Sequence, residues 1–277
     1  MGVINSVIQT MKMSQELSTR QLVDDTHRLV RNQRSGTNPG PITVGRLLSS
    51  IRPFPRRSLL LGQCDDALPF LIELGNPELG AILVSCEKGG GKTHQLQVVV
   101  DSAAFLNTPS QLQVAILTFK PEEWQSWQNS PKRKRHLQGI FAWYDPWAES
   151  MLQSLVELAE ARRNDQRLGA DVLLILDDFN FVEDLSYEAQ VNLHWLLEYG
   201  AQSGIWPVGA INAHHVKNYR YWVDAFRTRI IGQVRLLENH EILAMQPGPG
   251  TDNLEPAMFR AWLGDAWRTY RLPLLGH

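Results

Sequence analysis

Lys92 and Thr93 stand directly after Gly89, Gly90 and Gly91, and an apolar stretch of strand length, Ala81 to Val84, runs just ahead. Glycines let a backbone curl until several N–H groups face one anion, and the N-terminus of a following helix adds partial positive charge. A lysine at the end of such a turn reaches the β- and γ-phosphates of a nucleotide, and a threonine hydroxyl there ligates Mg²⁺. The stretch has the form of a phosphate-binding P-loop made by Gly89, Gly90, Gly91, Lys92, Thr93 and, on the first helical turn, His94. The full pattern G-x-x-x-x-G-K-[ST] begins with a glycine where this chain has Cys86, so the three glycines must supply the flexibility. A glycine-rich turn with a chance Lys-Thr pair is the plain alternative. The strand before and the helix after argue against it.

Asp177 and Asp178 close a second apolar run, Val172 to Leu176. An acid pair at the end of a buried strand suits a metal-nucleotide site. Asp177 would hold Mg²⁺, directly or through water, and Asp178 would polarise the attacking water. The interval from Lys92 leaves room for a helix, a strand and a second helix, as in RecA-like ATPases. Such enzymes more often place Glu at the second acid. Asp is one methylene shorter, and a misplacement of about 1 Å can cost ~10²-fold in rate. Glu183 and Asp184 lie close by as reserve carboxylates. ATP binding is expected ahead of fast hydrolysis.

Further residues could complete the site. Asn212 ends the run Gly209-Ala210-Ile211 and would lie beside the γ-phosphate, or else satisfy the strand-end backbone. His214 and His215 follow without a Cys or acid at ligand spacing, so they read as loop residues. Arg227 and Arg229 flank the last strand. An arginine aimed at the γ-phosphate can accelerate transfer by ~10³–10⁵. Arg229 is the better candidate, and the alternative is a pair of arginines that bind nearby carboxylates. Lys132, Arg133, Lys134 and Arg135 form a dense basic run, and Lys217 and Arg220 a second group. Either could be a solvated loop or a contact to a nucleic-acid backbone.

These residues need a framework, and the chain can build one. It has 277 residues, 43 % of them hydrophobic, and a formal net charge of -2. Any nucleic-acid contact must therefore come from a local patch. Cys64 and Cys86 suggest no disulfide framework, so a reducing compartment, the cytoplasm, is expected. No apolar run approaches the ~20 residues that span a bilayer, and no secretory segment follows Met1. Met1 to Ser6 fit the form of an N-myristoylation site, for which chance is the better explanation. The nine tryptophans read as core or subunit-interface residues.

Residues 1–42 are expected to form a helical arm and linker, with Val3, Ile4, Val7, Ile8 and Met11 on one face. The arm could pack on a neighbouring subunit or on a protein partner, or it could be a frayed terminus. Residues 43–277 are expected to form one α/β domain. Leu59–Leu61 and Phe70–Leu74 read as a hairpin, followed by the P-loop strand and its helix. Strands follow at Gln113–Phe119, Val172–Leu176, Trp206–Ile211 and Arg229–Val234. Helices intervene, one starting at Asp145-Pro146 and ending near Gly169, another capped by Ser186 and ending at Gly204. This alternation predicts a mostly parallel sheet with helices on both faces, in which ligands bind beyond the carboxyl ends of the strands.

In this order the motifs resemble the FtsK/HerA superfamily of DNA-pumping ATPases, over roughly residues 58 to 237. The resemblance rests on the hairpin ahead of the P-loop and on Leu176-Asp177-Asp178-Phe179. It rests further on Ala201-Gln202-Ser203-Gly204-Ile205 leading to Gly209-Ala210-Ile211-Asn212, and on Phe226 to Val234 with its Arg-Ile pair. It implies a RecA-like P-loop ATPase that uses ATP and Mg²⁺, assembles as a ring, expected as a hexamer, and moves double-stranded DNA. ATP would lie at the subunit boundary, with Asn212 as sensor and Arg229 or Arg227 completing a site. Within these 277 residues, septal membrane segments, a winged-helix tail and an N-terminal barrel are not expected. A compact motor of the genome-packaging or mobile-element type is the nearest form. An ATP-gated assembly factor with slow or no hydrolysis is the alternative, and a small-molecule phosphoryl transferase a weaker one.

Overall fold

The computed structural model describes residues 42–276, apart from 52, 54–56, 165–168, 246, 264 and 265. The expected N-terminal arm lies outside these residues, except for Ile42.

The chain opens with a short helix α1 (Val44–Ser49), then the hairpin β1 (Ser58–Cys64) and β2 (Pro69–Glu73). The P-loop strand β3 (Ile82–Cys86) leads into α2 (Lys92–Leu106) and β4 (Leu112–Thr118). Two short helices, α3 (Gln125–Asn129) and α4 (Pro131–Lys134), precede β5 (Leu137–Ala142). Next come α5 (Pro146–Arg163), β6 (Asp171–Leu176), α6 (Tyr187–Tyr199) and β7 (Ile205–Asn212). The rest is α7 (Arg220–Asp224), β8 (Thr228–Ile231), α8 (Leu237–Ala244), β9 (Met258–Trp262) and β10 (Trp267–Arg271).

All ten strands join one sheet in the order β2-β1-β10-β9-β8-β3-β7-β6-β4-β5. From β8 to β5 every pairing is parallel, and from β8 to β2 every pairing is antiparallel. The central parallel strands β3, β6 and β7 are buried on both faces, which is why they read as apolar runs. Successive side chains serve two cores. Val84, Ile116 and Ile175 pack with Leu96, Val99 and Ala103 of α2. Leu83, Leu117 and Leu174 pack with residues of α5, α6 and α8, among them Leu152, Leu193 and Leu243. The helices thus cover both faces of a mostly parallel sheet, as the alternation predicted.

Local signals act where expected. The Asp145 side chain accepts a hydrogen bond from the Trp147 N–H at 3.0 Å, with Pro146 at the first helical position. Ser186 Oγ accepts from the Ala189 N–H. Helix α5 stops at Arg163, short of Gly169, and α6 stops at Tyr199, from where a tighter turn runs on to Ser203. Gly204 closes that turn with φ +71°. Three strands had no counterpart in the sequence reading. β5 is an edge strand with only Ala142 buried, β9 buries only Phe259 and Ala261, and β10 buries only Tyr270. Among the described residues no helix is long and apolar enough to cross a membrane.

Candidate nucleotide site

The turn after β3 is shaped by glycine. Gly89 and Gly91 take φ of +80° and +100°, values that other residues adopt at a cost. Gly91 caps α2 without any side-chain hydrogen bond, so the first N–H groups of α2 are open to an anion. Cys86 fits at the missing glycine position because its neighbours lack side chains. A Cβ on Gly90 would lie 2.6 Å from Cys86 Sγ, and one on Gly232 would lie 2.8 Å from Cys86 Cβ. Burial pushes the Cys86 thiol pKa up, against an opposing pull from Lys92. The thiol is therefore a neutral space-filler under the loop. Lys92 Nζ donates to the carbonyls of Cys86 at 3.3 Å and Glu87 at 3.4 Å. Those are neutral acceptors, which a phosphate oxygen would outcompete.

The acid pair faces this loop. Strand β6 lies two places from β3, with β7 between them. Thr93 Oγ1 donates to Asp177 Oδ1 at 3.2 Å, bridging residues 84 apart in the chain. Asp177 is 2 % exposed. Trp124 Nε1 donates to its Oδ2 at 3.2 Å, and Trp143 Nε1 donates to its backbone carbonyl at 2.8 Å. Burial raises its pKa to about 6, with the charge of Asp178 adding to the effect and the Trp124 and Thr93 hydrogen bonds opposing it. A desolvated carboxylate beside a threonine hydroxyl is a fit receptor for a hard cation. Among the described residues no cluster of three or more His, Cys, Asp or Glu forms a metal cage. Mg²⁺ takes one or two protein ligands and completes its shell with phosphate and water, so Thr93 and Asp177 are the residues that would hold it.

Asp178 takes φ +57°, a left-handed conformation uncommon for a residue with a side chain. Such outliers cluster at functional sites. Glu123, on the turn after β4, was not singled out in the sequence, yet its charge also raises Asp177. It pairs with Lys120 at 3.3 Å, and Lys120 also feels the charge of Asp178. Glu183 and Asp184 instead act on Tyr219. Glu123 is therefore a further carboxylate whose charge is felt at Asp177. Strand order brings it there, since β4 lies next to β6.

The other expected residues are not all gathered here. Asn212 pairs in register with Cys86, so its backbone flanks the start of the loop. Its Oδ1 accepts from the His214 N–H at 3.1 Å, which leaves the amide NH₂ as its donor end. The His94 ring hydrogen-bonds the Pro273 carbonyl at 2.8 Å, so its side chain is committed to the C-terminal segment and not to the loop. Arg229 is 1 % exposed and lies in register with Leu83, well back along β3 from the loop. Its Nε donates to Met245 Sδ at 3.0 Å, and Nη1 and Nη2 are buried without hydrogen-bond partners. Burial lowers its pKa to about 10. So placed, Arg229 is a core side chain, not one aimed at a γ-phosphate. Arg227 is exposed, but its N–H bonds Ala81 O and its side chain lies against Gly80, at the amino end of β3. About 17 Å of strand separates that end from the loop, at ~3.3 Å per residue. Arg227 cannot serve the nucleotide site of its own chain.

The basic groups also part company. Lys132 to Arg135 precede Leu137, which pairs with Val114 near the start of β4, so this run sits at the amino edge of the sheet. Arg133 bonds Asp101 at 2.9 Å and lies over the Trp127 ring, and Lys132 lies over Phe105. Lys134 and Arg135 are exposed. Lys217 and Arg220 follow the carboxyl end of β7, where they pair with Glu238 at 2.6 Å and Asp224 at 3.7 Å.

A strand, a glycine turn and a helix bearing Lys-Thr, facing an acid two strands away, define a P-loop nucleoside-triphosphate-binding fold. The fold is shared with ATPases of known structure. Solved structures of similar shape include EccC from Thermomonospora curvata (ATPases 2 and 3, in complex with a signal sequence peptide). It is 15 % identical with TM-score 0.66, over 87 % of this chain and 44 % of that one. The pCW3 conjugation coupling protein TcpA, with ATPγS, is 16 % identical with TM-score 0.60, over 85 % of this chain and 70 % of that one. The genome packaging NTPase B204 from Sulfolobus turreted icosahedral virus 2 is 10 % identical with TM-score 0.50, over 72 % of this chain and all of that one. The chain spans less than half the length of EccC in that structure. No family model and no curated protein matches the sequence.

Proposed function

We propose that the chain is an ATPase motor that assembles as a ring, a hexamer by preference, and moves double-stranded DNA. The observation that carries the reading is the 3.2 Å contact from Thr93 Oγ1 to Asp177 Oδ1, which joins the P-loop to the acid strand. In this reading the N–H groups of Gly89, Gly91, Lys92 and Thr93 cradle the phosphates of ATP, the Gly90 N–H being spent on the Glu87 carbonyl. Lys92 leaves its two loop carbonyls for the β- and γ-oxygens, and Thr93 and Asp177 hold Mg²⁺. The ion, when bound, neutralises charge on the phosphate oxygens. Asp178 orients the water that attacks the γ-phosphate, and Glu123 is a further carboxylate whose charge is felt at Asp177. The Asn212 amide donates toward the γ-phosphate side of the loop and reports its presence. Arg227, exposed at the far edge of the sheet, acts on a neighbour's nucleotide across the ring boundary. Lys134 and Arg135 offer free charge to a phosphate backbone. The fold shared with a conjugation coupling protein and a genome packaging NTPase supports a DNA substrate, and a reducing cytoplasm suits the chain.

A second reading is an ATP-gated assembly factor that hydrolyses slowly. Two observations favour it. Asp178 stands where a longer Glu is usual, and Arg133, Lys217 and Arg220 are engaged with acids of the same chain. Steady-state ATP hydrolysis, measured with and without duplex DNA at low salt, separates the two. DNA-stimulated turnover that vanishes in Lys92→Ala supports the motor. Nucleotide-dependent assembly without turnover supports the switch.

A further inference from the structure

The geometry points to Trp124 as a positioning residue for the metal-binding carboxylate: its indole N–H claims Asp177 Oδ2 so that Oδ1 alone is presented to Thr93 and Mg²⁺. The inference rests on the reading that this site takes a magnesium nucleotide. A carboxylate at the end of a strand can rotate, and it can offer a cation one oxygen or two. Here one oxygen is already assigned. Trp124 Nε1 lies 3.2 Å from Oδ2 and Thr93 Oγ1 lies 3.2 Å from Oδ1. An indole N–H is a donor only and never ligates a metal, so it holds Oδ2 without competing for the ion.

The indole is itself fixed. Trp124 is fully buried, on the turn Pro121–Trp124 that leaves β4, the strand next to β6. Three residues on, Trp127 Nε1 donates to Asp101 Oδ1 of α2 at 2.9 Å, so the same segment is pinned to the P-loop helix. From the end of β5, Trp143 holds the Asp177 main chain at its carbonyl. Both the backbone and the outer oxygen of the acid are thereby set before any ion arrives. Partners one shell out from a metal typically tune its affinity 10–100-fold.

Two substitutions separate this role from core filling. Trp124→Phe keeps an aromatic ring and deletes the N–H. Benzothienylalanine at position 124 keeps the full bicyclic shape and lacks only the donor. The readout is Mn²⁺ binding, followed by electron paramagnetic resonance in the presence of a non-hydrolysable ATP analogue, beside binding of the same analogue in EDTA. Both substitutions are expected to weaken Mn²⁺ by about 10-fold or more, with metal-free analogue binding within twofold of wild type. Trp143→Phe, which touches no carboxylate oxygen, is expected to change Mn²⁺ affinity less. Unchanged Mn²⁺ affinity in the benzothienylalanine protein would overturn the inference, as would a parallel loss of metal-free binding. A wild-type chain that takes up no analogue under either condition would overturn the nucleotide reading itself.

Discussion

Asp177 carries a cost that its cation should remove. Its pKa is raised from 3.8 to about 6 by burial and by Asp178. The native state therefore holds a proton more tightly than the unfolded chain does. The penalty is absent below pH ~4, grows as pH rises to ~6, and is complete above that, at about 3 kcal/mol. In metal-free protein, Asp177→Asn should be more stable than wild type at pH 7.5, and the two should converge near pH 4. Urea unfolding in EDTA at both values checks this, and equal stability at pH 7.5 would contradict it. Arg229 makes the opposite case among the cations. Its Nη1 and Nη2 are buried and unpartnered, beside the Met245 sulfur. Arg229→Met should leave ATP turnover intact and raise stability by about 1–3 kcal/mol. A loss of turnover without a loss of stability would return Arg229 to the finger role that its place beside Ile230 suggested.

The elements differ in how openly the sequence shows them. β3 and β6 bury both faces, so each stands out as a continuous apolar run, and each carries its candidate residues just past its end. Lys92, Thr93 and Asp177 stand out as candidates in the sequence for that reason. β9 buries only Phe259 and Ala261, β10 buries only Tyr270, and the two carry Arg260, Arg268 and Arg271 besides, so no apolar run marks them. They nonetheless help to set the start of α2. Tyr270 donates to Gln95 Oε1 at 2.7 Å, and Leu272 packs 3.4 Å from where a Gly91 Cβ would be. Trp124, Trp143 and Glu123 were missed for a further reason. They reach the site through the strand order β6-β4-β5, which no local spacing encodes. The basic run shows the converse error, because charge density alone hides the partner. Arg133 is 18 % exposed and bonded to Asp101, which is 2 % exposed. Arg133→Met should therefore cost about 3 kcal/mol of stability while leaving the salt dependence of DNA binding unchanged. Lys134→Ala with Arg135→Ala should do the reverse, lowering the slope of binding against salt by roughly one for each phosphate that goes unneutralised. Thermal unfolding and DNA titrations at two salt concentrations distinguish the pair.

At the scale of the whole molecule, the sheet has two edges with separate equipment. The carboxyl edge carries the loop, the acids and Asn212. The amino edge carries Arg227 and the basic run. A ring that set the amino edge of one subunit against the carboxyl edge of the next would bring Arg227 to a neighbour's γ-phosphate, which it cannot reach within one chain. Mixing Arg227→Ala chains with Lys92→Ala chains should then restore part of the turnover that each lacks alone, since some boundaries would pair an intact loop with an intact arginine. Equal inactivity of mixed and unmixed samples would contradict the placement.

All of this depends on the glycine loop and Asp177 taking up a magnesium triphosphate together. Isothermal titration of a non-hydrolysable ATP analogue into the folded chain, with and without Mg²⁺, tests that directly. The expected result is saturable one-to-one binding that Mg²⁺ strengthens and that Lys92→Ala abolishes. No heat of binding in folded wild-type protein, or binding indifferent to both Mg²⁺ and Lys92, would contradict the account.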